Sequence, residues 1–168
     1  ESSESEIANI IFQYGEERRS RRIAKNIVNA REEGGVKTTL QLKNCVEQAV
    51  GKGPTLNASL SRVFQAVRIA VNDELEVLSD TLVDAVETLS SGGRLVVISY
   101  HSLEDRIVKK YFLKESKGCL CPPGFPECRC SHKAIIKLVT KKPIVATDDE
   151  LVSNPRSRSA KLRVVEKI

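Results

Sequence analysis

Two clusters in this chain of 168 residues have residue types and spacings suited to chemistry. His101, Ser102, Glu104, Asp105 and Arg106 follow closely on the apolar run Leu95-Val96-Val97-Ile98. In open α/β sheets, ligands bind just beyond the carboxyl ends of the strands, so polar groups placed there mark a candidate site. The second cluster is "CLCPPGFPECRC", in which Cys119, Cys121, Cys128 and Cys130 form C-x-C-x6-C-x-C with His132 two residues beyond. Four thiolates, or three and a histidine, suit a tetrahedral structural zinc. The C-x-C gap is tighter than the usual two-residue spacing, so free thiols in a surface loop, or disulfides, stand as alternatives. A Pro-rich hairpin between the pairs would bring them together.

The elements that must position these groups follow from periodicity. Ile7, Ile10, Ile11 and Tyr14 recur at helical spacing up to Gly15. A helix over 16–32 turns Ile23, Ile27 and Val28 inward, and a third opens at Thr38-Thr39 and runs to about Val50. The Gly- and Pro-containing "GKGPTLN" is a loop. Leu60, Phe64, Val67, Val71, Leu75, Leu78, Leu82, Val86 and Leu89 then step by three and four, which predicts one long amphipathic helix ended by Gly92-Gly93. "RLVVIS" is apolar on both faces, the pattern of an inner parallel strand covered by helices on each side. Ser102 is the expected cap of a helix carrying Leu103, Ile107, Val108, Tyr111 and Phe112. "AIIKLVT" and "SAKLRVVEKI" predict two further strands, separated by a capping box at Thr147 and Glu150 and a turn at Asn154-Pro155.

Composition narrows the function classes. With 40 % hydrophobic and 29 % charged residues the chain is expected to be one globular domain, or one with a small appendage. No apolar run approaches the roughly 20 residues that span a bilayer, and no signal segment opens the chain. Without such a signal a reduced, cytoplasmic setting is the default, where clustered cysteines favour metal. The chain begins at Glu1 and contains no Met, so it is read as a piece of a longer protein. A net charge of +5 fits a nucleic-acid partner. Aromatic residues make up 4 % and Trp is absent, which argues against binding by stacked aromatics and leaves phosphate contacts from Arg and Lys. Arg18, Arg19, Arg21 and Arg22 crowd a helix start, where the macrodipole disfavours cations. They read either as RNA phosphate contacts or as a solvated face.

"YGEERRSRRIAKNIVNAR" (14–31), "FQAVRIAVNDELEVL" (64–78), "GGRLVVISYHSLEDRIVKKYF" (92–112) and "NPRSRSAKLRV" (154–164) resemble consecutive signatures of one family. It is the 16S ribosomal RNA (cytosine-N4)-methyltransferase family, RsmH/MraW. The resemblance runs from about residue 4 to the C-terminus. It departs locally at "ASLSRVFQAVR", where the family's His-Pro pair is missing while Arg62, Phe64, Gln65 and Arg68 persist.

The resemblance implies a Rossmann-like enzyme that uses S-adenosylmethionine to methylate the exocyclic N4 of a cytidine in the decoding region of small-subunit rRNA. The fold it implies is α/β: the C-terminal half of a Rossmann-like methyltransferase sheet (58–168), preceded by a helical insertion domain for substrate recognition (1–57). The family's Gly-rich cofactor loop would lie upstream of Glu1. The glycine pairs 34–35 and 92–93 follow helices, so no cofactor-binding residue is expected here and the isolated chain is expected to be inactive. In that setting His101 could hydrogen-bond the base or relay a proton, and Ser102 could cap the helix or touch substrate. Asp105 and Arg106 could hold one another or a phosphate. The alternative is that Ser102 is only a cap while Glu104, Asp105 and Arg106 brace the last strands. Arg18, Arg19, Arg22, Arg62, Arg68, Arg106, Arg156, Arg158 and Lys161 are the candidate rRNA contacts; Arg163 could join Arg156, Arg158 and Lys161 on the rRNA backbone, with pairing to carboxylates such as Asp105 as the rival role for these arginines. Rival functions are a standalone RNA-binding module that has lost catalysis and a zinc-loop interaction protein on a degenerate α/β scaffold.

Overall fold

The structure, a computed structural model, describes residues 2–122 and 127–168. It divides into two compact units, one running to Glu74 and the other Leu75–Ile168.

The first unit is helical: α1 (Glu4–Gly15), α2 (Ser20–Glu32), α3 (Thr39–Val50) and α4 (Leu56–Asn72). Ser3 and Glu6 form a capping box on α1, and Thr38 and Gln41 form another on α3, so two helix starts have their free amides met locally. Ile11, Ile23, Val46, Ala49 and Val63 form the core, with Ile7, Ile27, Leu42 and Leu60 packed around it. A Cβ on Gly15 would lie 2.7 Å from the Arg62 carbonyl oxygen, so the glycine is what lets α1 and α4 approach. Between α1 and α2, Glu17 is buried; Arg19 N–H donates to its Oε1 at 3.0 Å, and Arg62 Nε lies 3.1 Å from its Oε2. Burial pushes the Glu17 carboxyl up, but the Arg19 amide, the Ser59 hydroxyl and Arg62 together hold it below the usual range.

The long helix expected from 60 to 89 is two helices. Asp73 adopts a left-handed conformation (φ 49°), which ends α4 at Asn72, and α5 (Glu74–Thr88) begins immediately after it. Asn and Asp tolerate that conformation better than other non-glycine residues, while the apolar period continues across the break and hides it. Arg68 donates to both carboxylate oxygens of Glu74, at 2.7 and 3.0 Å, and so fastens the break. Residues 58–72 therefore belong with the helical unit, and the division falls at 74/75 instead of 57/58.

The second unit continues with β1 (Arg94–Ser99), α6 (Ser102–Glu115), β2 (Ile136–Leu138), the short α7 (Asp148–Ser153), a 3-10 turn over Pro155–Ser159 and β3 (Lys161–Lys167). The sheet has order β1-β3-β2 and both pairings are antiparallel, with Val97 opposite Arg163 and Leu138 opposite Val165. Leu82 and Val86 of α5 and Val108 and Phe112 of α6 pack on Ile136 and Val165, with Leu95 and Val97 against them. Lys167 donates to the carbonyl oxygens of Val86 and Glu87 and so completes the end of α5.

Two expectations for β1 are corrected. It pairs antiparallel, and among the described residues only with β3, so it stands at an edge of this sheet. Its burial alternates: Val96 and Ile98 are 53 % and 49 % exposed while Leu95 and Val97 face the core. A short apolar run has no internal signal of partner direction or of how many faces are covered. The capping box expected at α7 is only half present: Thr147 Oγ1 accepts from Glu150 N. The Pro-rich hairpin expected between the cysteine pairs falls on 123–126, outside the described residues.

Candidate functional site at the turn between β1 and α6

The turn places its polar groups through a cap that sequence rules do not anticipate. His101, not Ser102, is the N-cap of α6: its Nδ1 accepts from Glu104 N–H at 3.4 Å. Glu104 reaches back, its Oε2 accepting from Tyr100 N–H at 2.8 Å and from His101 N–H at 3.2 Å. This is capping-box geometry with an imidazole in the position usually held by a hydroxyl, which is why the Ser/Thr pattern missed it. Ser102 is instead the exposed first residue of the helix.

With Nδ1 accepting, the neutral imidazole carries its proton on Nε2. Nε2 lies 3.2 Å from Glu104 Oε1 but off the line of a hydrogen bond, so this buried atom has no hydrogen-bond partner among the described residues. Ser99 Oγ, at the last position of β1, is likewise buried and without a partner. A buried donor and a buried hydroxyl left unpaired two residues apart are costly unless something occupies them. The turn can therefore offer a directed donor, and a proton-exchanging nitrogen, to a ligand at the carboxyl end of β1.

Asp105 has a different role. Arg163 Nε donates to its Oδ1 at 2.7 Å and Nη2 to its Oδ2 at 3.3 Å, while Lys161 Nζ reaches Oδ2 at 3.2 Å. The hydrogen bond from Arg163 is the main cause that holds the Asp105 carboxyl below the usual range, against burial and with help from Lys161. Both Asp105 oxygens are engaged by Arg163 and Lys161. The cluster braces α6 to β3 and thereby fixes the turn that carries His101. Of the two roles open to Arg163, a grip on the rRNA backbone or pairing with a carboxylate such as Asp105, the structure shows the pairing.

The basic candidates separate in the same way. Arg19 Nη1 donates to the Val50 carbonyl, Arg62 faces Glu17, and Arg68 holds Glu74. Arg18, Arg22, Arg156 and Arg158 are exposed and make no hydrogen bond or ion pair among the described residues. Arg106 is exposed and interacts within the chain.

In the cysteine loop the four expected thiols do converge: the Sγ atoms of Cys119, Cys121, Cys128 and Cys130 all lie within 4.8 Å of one another. His132 is not among them; its Nε2 lies 3.1 Å from the Lys114 carbonyl oxygen. Cys121 N–H acts on the Cys119 thiol most strongly, pulling it down, but the neighbouring thiols outweigh it and push Cys119 up to about 12. Leu120 N–H, then the His132 amide, pull Cys130 down to about 6. Cys45 is buried in the helical unit, and burial pushes its thiol up.

The turn thus sets two buried polar atoms without a hydrogen bond at the carboxyl end of β1. The chain belongs to the MraW methylase family, whose match spans residues 1–168. It is 48 % identical over 170 residues to a protein of Brevibacillus brevis named ribosomal RNA small subunit methyltransferase H, covering 100 % of this chain and 54 % of that protein. Proteins of the same name from Heliobacterium modesticaldum and Dehalococcoides mccartyi are 49 % identical over 170 residues and 51 % identical over 162. They are covered to 54 % and 46 %, so the chain spans about half the length of the curated relatives it matches.

Proposed function

We propose that this chain is the substrate-side portion of an S-adenosylmethionine-dependent methyltransferase that modifies the exocyclic N4 of a cytidine in the decoding region of 16S rRNA, acting in the cytoplasm. The observation that carries the reading is that His101 Nε2 and Ser99 Oγ, two residues apart at the carboxyl end of β1, are both buried without a hydrogen bond among the described residues, in a chain about half identical to proteins named for rRNA methylation. The unpaired edge of β1 and its exposed Val96 and Ile98 support a further reading, that this sheet is the closing part of a larger Rossmann-like one. The helical unit then serves as the insertion for substrate recognition.

Neither glycine pair forms a strand-to-helix turn of the kind that cradles the cofactor. Gly92 and Gly93 are engaged with the backbone of Lys167, and a Cβ on Gly93 would lie 2.8 Å from the Ser90 carbonyl oxygen. Gly34 and Gly35 follow α2, not a strand. No step is assigned to the cofactor in this chain.

What the chain does is hold the base and handle its proton. A cytosine N4 amine is a poor nucleophile because its lone pair is delocalised into the ring, so orientation and removal of a proton both matter. His101 donates through Nε2 to an acceptor on the base, or exchanges a proton there, while Glu104 and the Asp105–Arg163 pair keep the ring and its helix in place. Arg18, Arg22, Arg156 and Arg158 supply phosphate contacts. In the full-length protein, replacing Arg18 and Arg22 with Ala should weaken rRNA binding and flatten its salt dependence by up to about one unit per lost contact. An unchanged slope would return them to a solvated face.

The test of the site is His101→Asn in the full-length protein. Asn is a good N-cap, so the helix start survives while the Nε2 donor is lost. Single-turnover methylation of small subunits should fall by about 10²–10⁴-fold if the ring moves a proton, and somewhat less if it only positions the base, with cofactor affinity unchanged. A wild-type rate at a normal melting temperature would leave His101 as a cap alone.

A further inference from the structure

We infer that the loop between α6 and β2 holds a structural zinc ion on Cys119, Cys121, Cys128 and Cys130. The first argument is distance. Four sulfurs around a zinc at about 2.3 Å lie about 3.8 Å apart along the edges of a tetrahedron. Cys119 and Cys128 Sγ are 3.4 Å apart, Cys128 and Cys130 3.6 Å, and Cys119 and Cys130 3.7 Å. These separations are far beyond the roughly 2.05 Å of a disulfide, and all five cysteines that the chain contains are free thiols.

The second argument is hydrogen bonding to sulfur. Leu120 N–H donates to Cys130 Sγ at 3.3 Å, and Cys121 N–H to Cys119 Sγ at 3.4 Å. Backbone donors aimed at ligand sulfur offset the negative charge of a thiolate site and orient it. The tight C-x-C turns that looked unfavourable in the sequence are what aim these amides.

The third argument is what else holds this loop. From Lys117 to Ile135 no described residue lies in a helix or strand, and none belongs to either hydrophobic core. Leu120 and Ile135 are 40 % and 38 % exposed. Loops of this length with no core are uncommon unless something ties them. His132 and the Ile135 amide meet the end of α6, but the rest of the loop converges on four thiols, which are weak donors and weak acceptors to one another. A zinc ion replaces those poor contacts with four bonds, and each ligating thiol releases its proton to solvent. It pins the end of α6 to the start of β2, leaving the other end of the helix to His101.

The experiment is metal analysis of the full-length protein purified under reducing conditions, which should give about one zinc per chain at this site. Cobalt substitution should give the intense visible bands of a tetrahedral cobalt thiolate. Cys119→Ser with Cys130→Ser should abolish both signals. Protein that neither contains zinc nor takes it up, with the four loop thiols alkylating like exposed cysteines, overturns the site. So does a disulfide between loop cysteines in the reduced preparation, or zinc that persists in the double variant.

Discussion

At its first turn α6 is tied down by groups of opposite character, whereas beyond its last turn it runs into a loop where four groups of one character meet. The first end has a carboxylate, Asp105, with both oxygens met by Arg163 and Lys161, and a histidine and a glutamate that cap each other's backbone. Donor and acceptor are both supplied by the chain, so that end is complete apart from Nε2 of His101. The far end gathers Cys119, Cys121, Cys128 and Cys130, which attract one another only weakly. One end can be built from protein alone; the other calls for an ion of opposite charge.

The largest stability effect should come from breaking the complete end. Arg163→Leu leaves Asp105 buried with only Lys161, and removing one partner of a buried pair costs about 3–5 kcal/mol. Urea denaturation of the full-length protein would read it. Pairing Asp105→Leu with Arg163→Met should recover most of the loss, since no lone charge is then buried. A small cost for the single variant would mean that the brace is solvated and that His101 is positioned by its cap alone.

Acid should erode the same brace. The folded Asp105 carboxyl titrates below its usual range because Arg163 bonds it. Its contribution is therefore full above the unfolded value of about 3.9 and is lost as pH falls through the lower folded value. Wild type and Asp105→Asn should thus differ most in stability near neutrality and converge as the pH drops below about 4. A gap that stays constant across that range would assign the effect of the substitution to packing. Chelation of the zinc should have the smallest global effect. The melting temperature should move little, because the loop adds nothing to either core, while cleavage of the 117–133 stretch by protease should rise sharply.

Much of the helical unit was legible because its apolar residues repeat with the period of a helix, and caps such as Thr38 with Gln41 are local. The break at Asp73 was not, since a single left-handed residue leaves the apolar spacing intact on both sides. The cap at His101 was missed for a chemical reason: imidazole Nδ1 can accept an amide proton, but the usual signature credits only hydroxyls, carboxylates and amides. Arg163 could not be told from Arg156 or Arg158 by neighbours in the chain. Its strand position opposite Val97 puts it within reach of α6, while theirs, on the 3-10 turn, faces solvent.

The order of elements, the family resemblance and the four-cysteine spacing were determined by sequence alone, because period, turn residues and motif spacing are properties of neighbours. The tertiary structure alone decided which polar groups are occupied and which are open. Asp105 meets cations 56 and 58 residues away, Cys119 meets Cys130 across a loop, and Nε2 of His101 makes no hydrogen bond among the described residues. Such pairings depend on where the backbone brings distant residues together, and short-range patterns have no information on that.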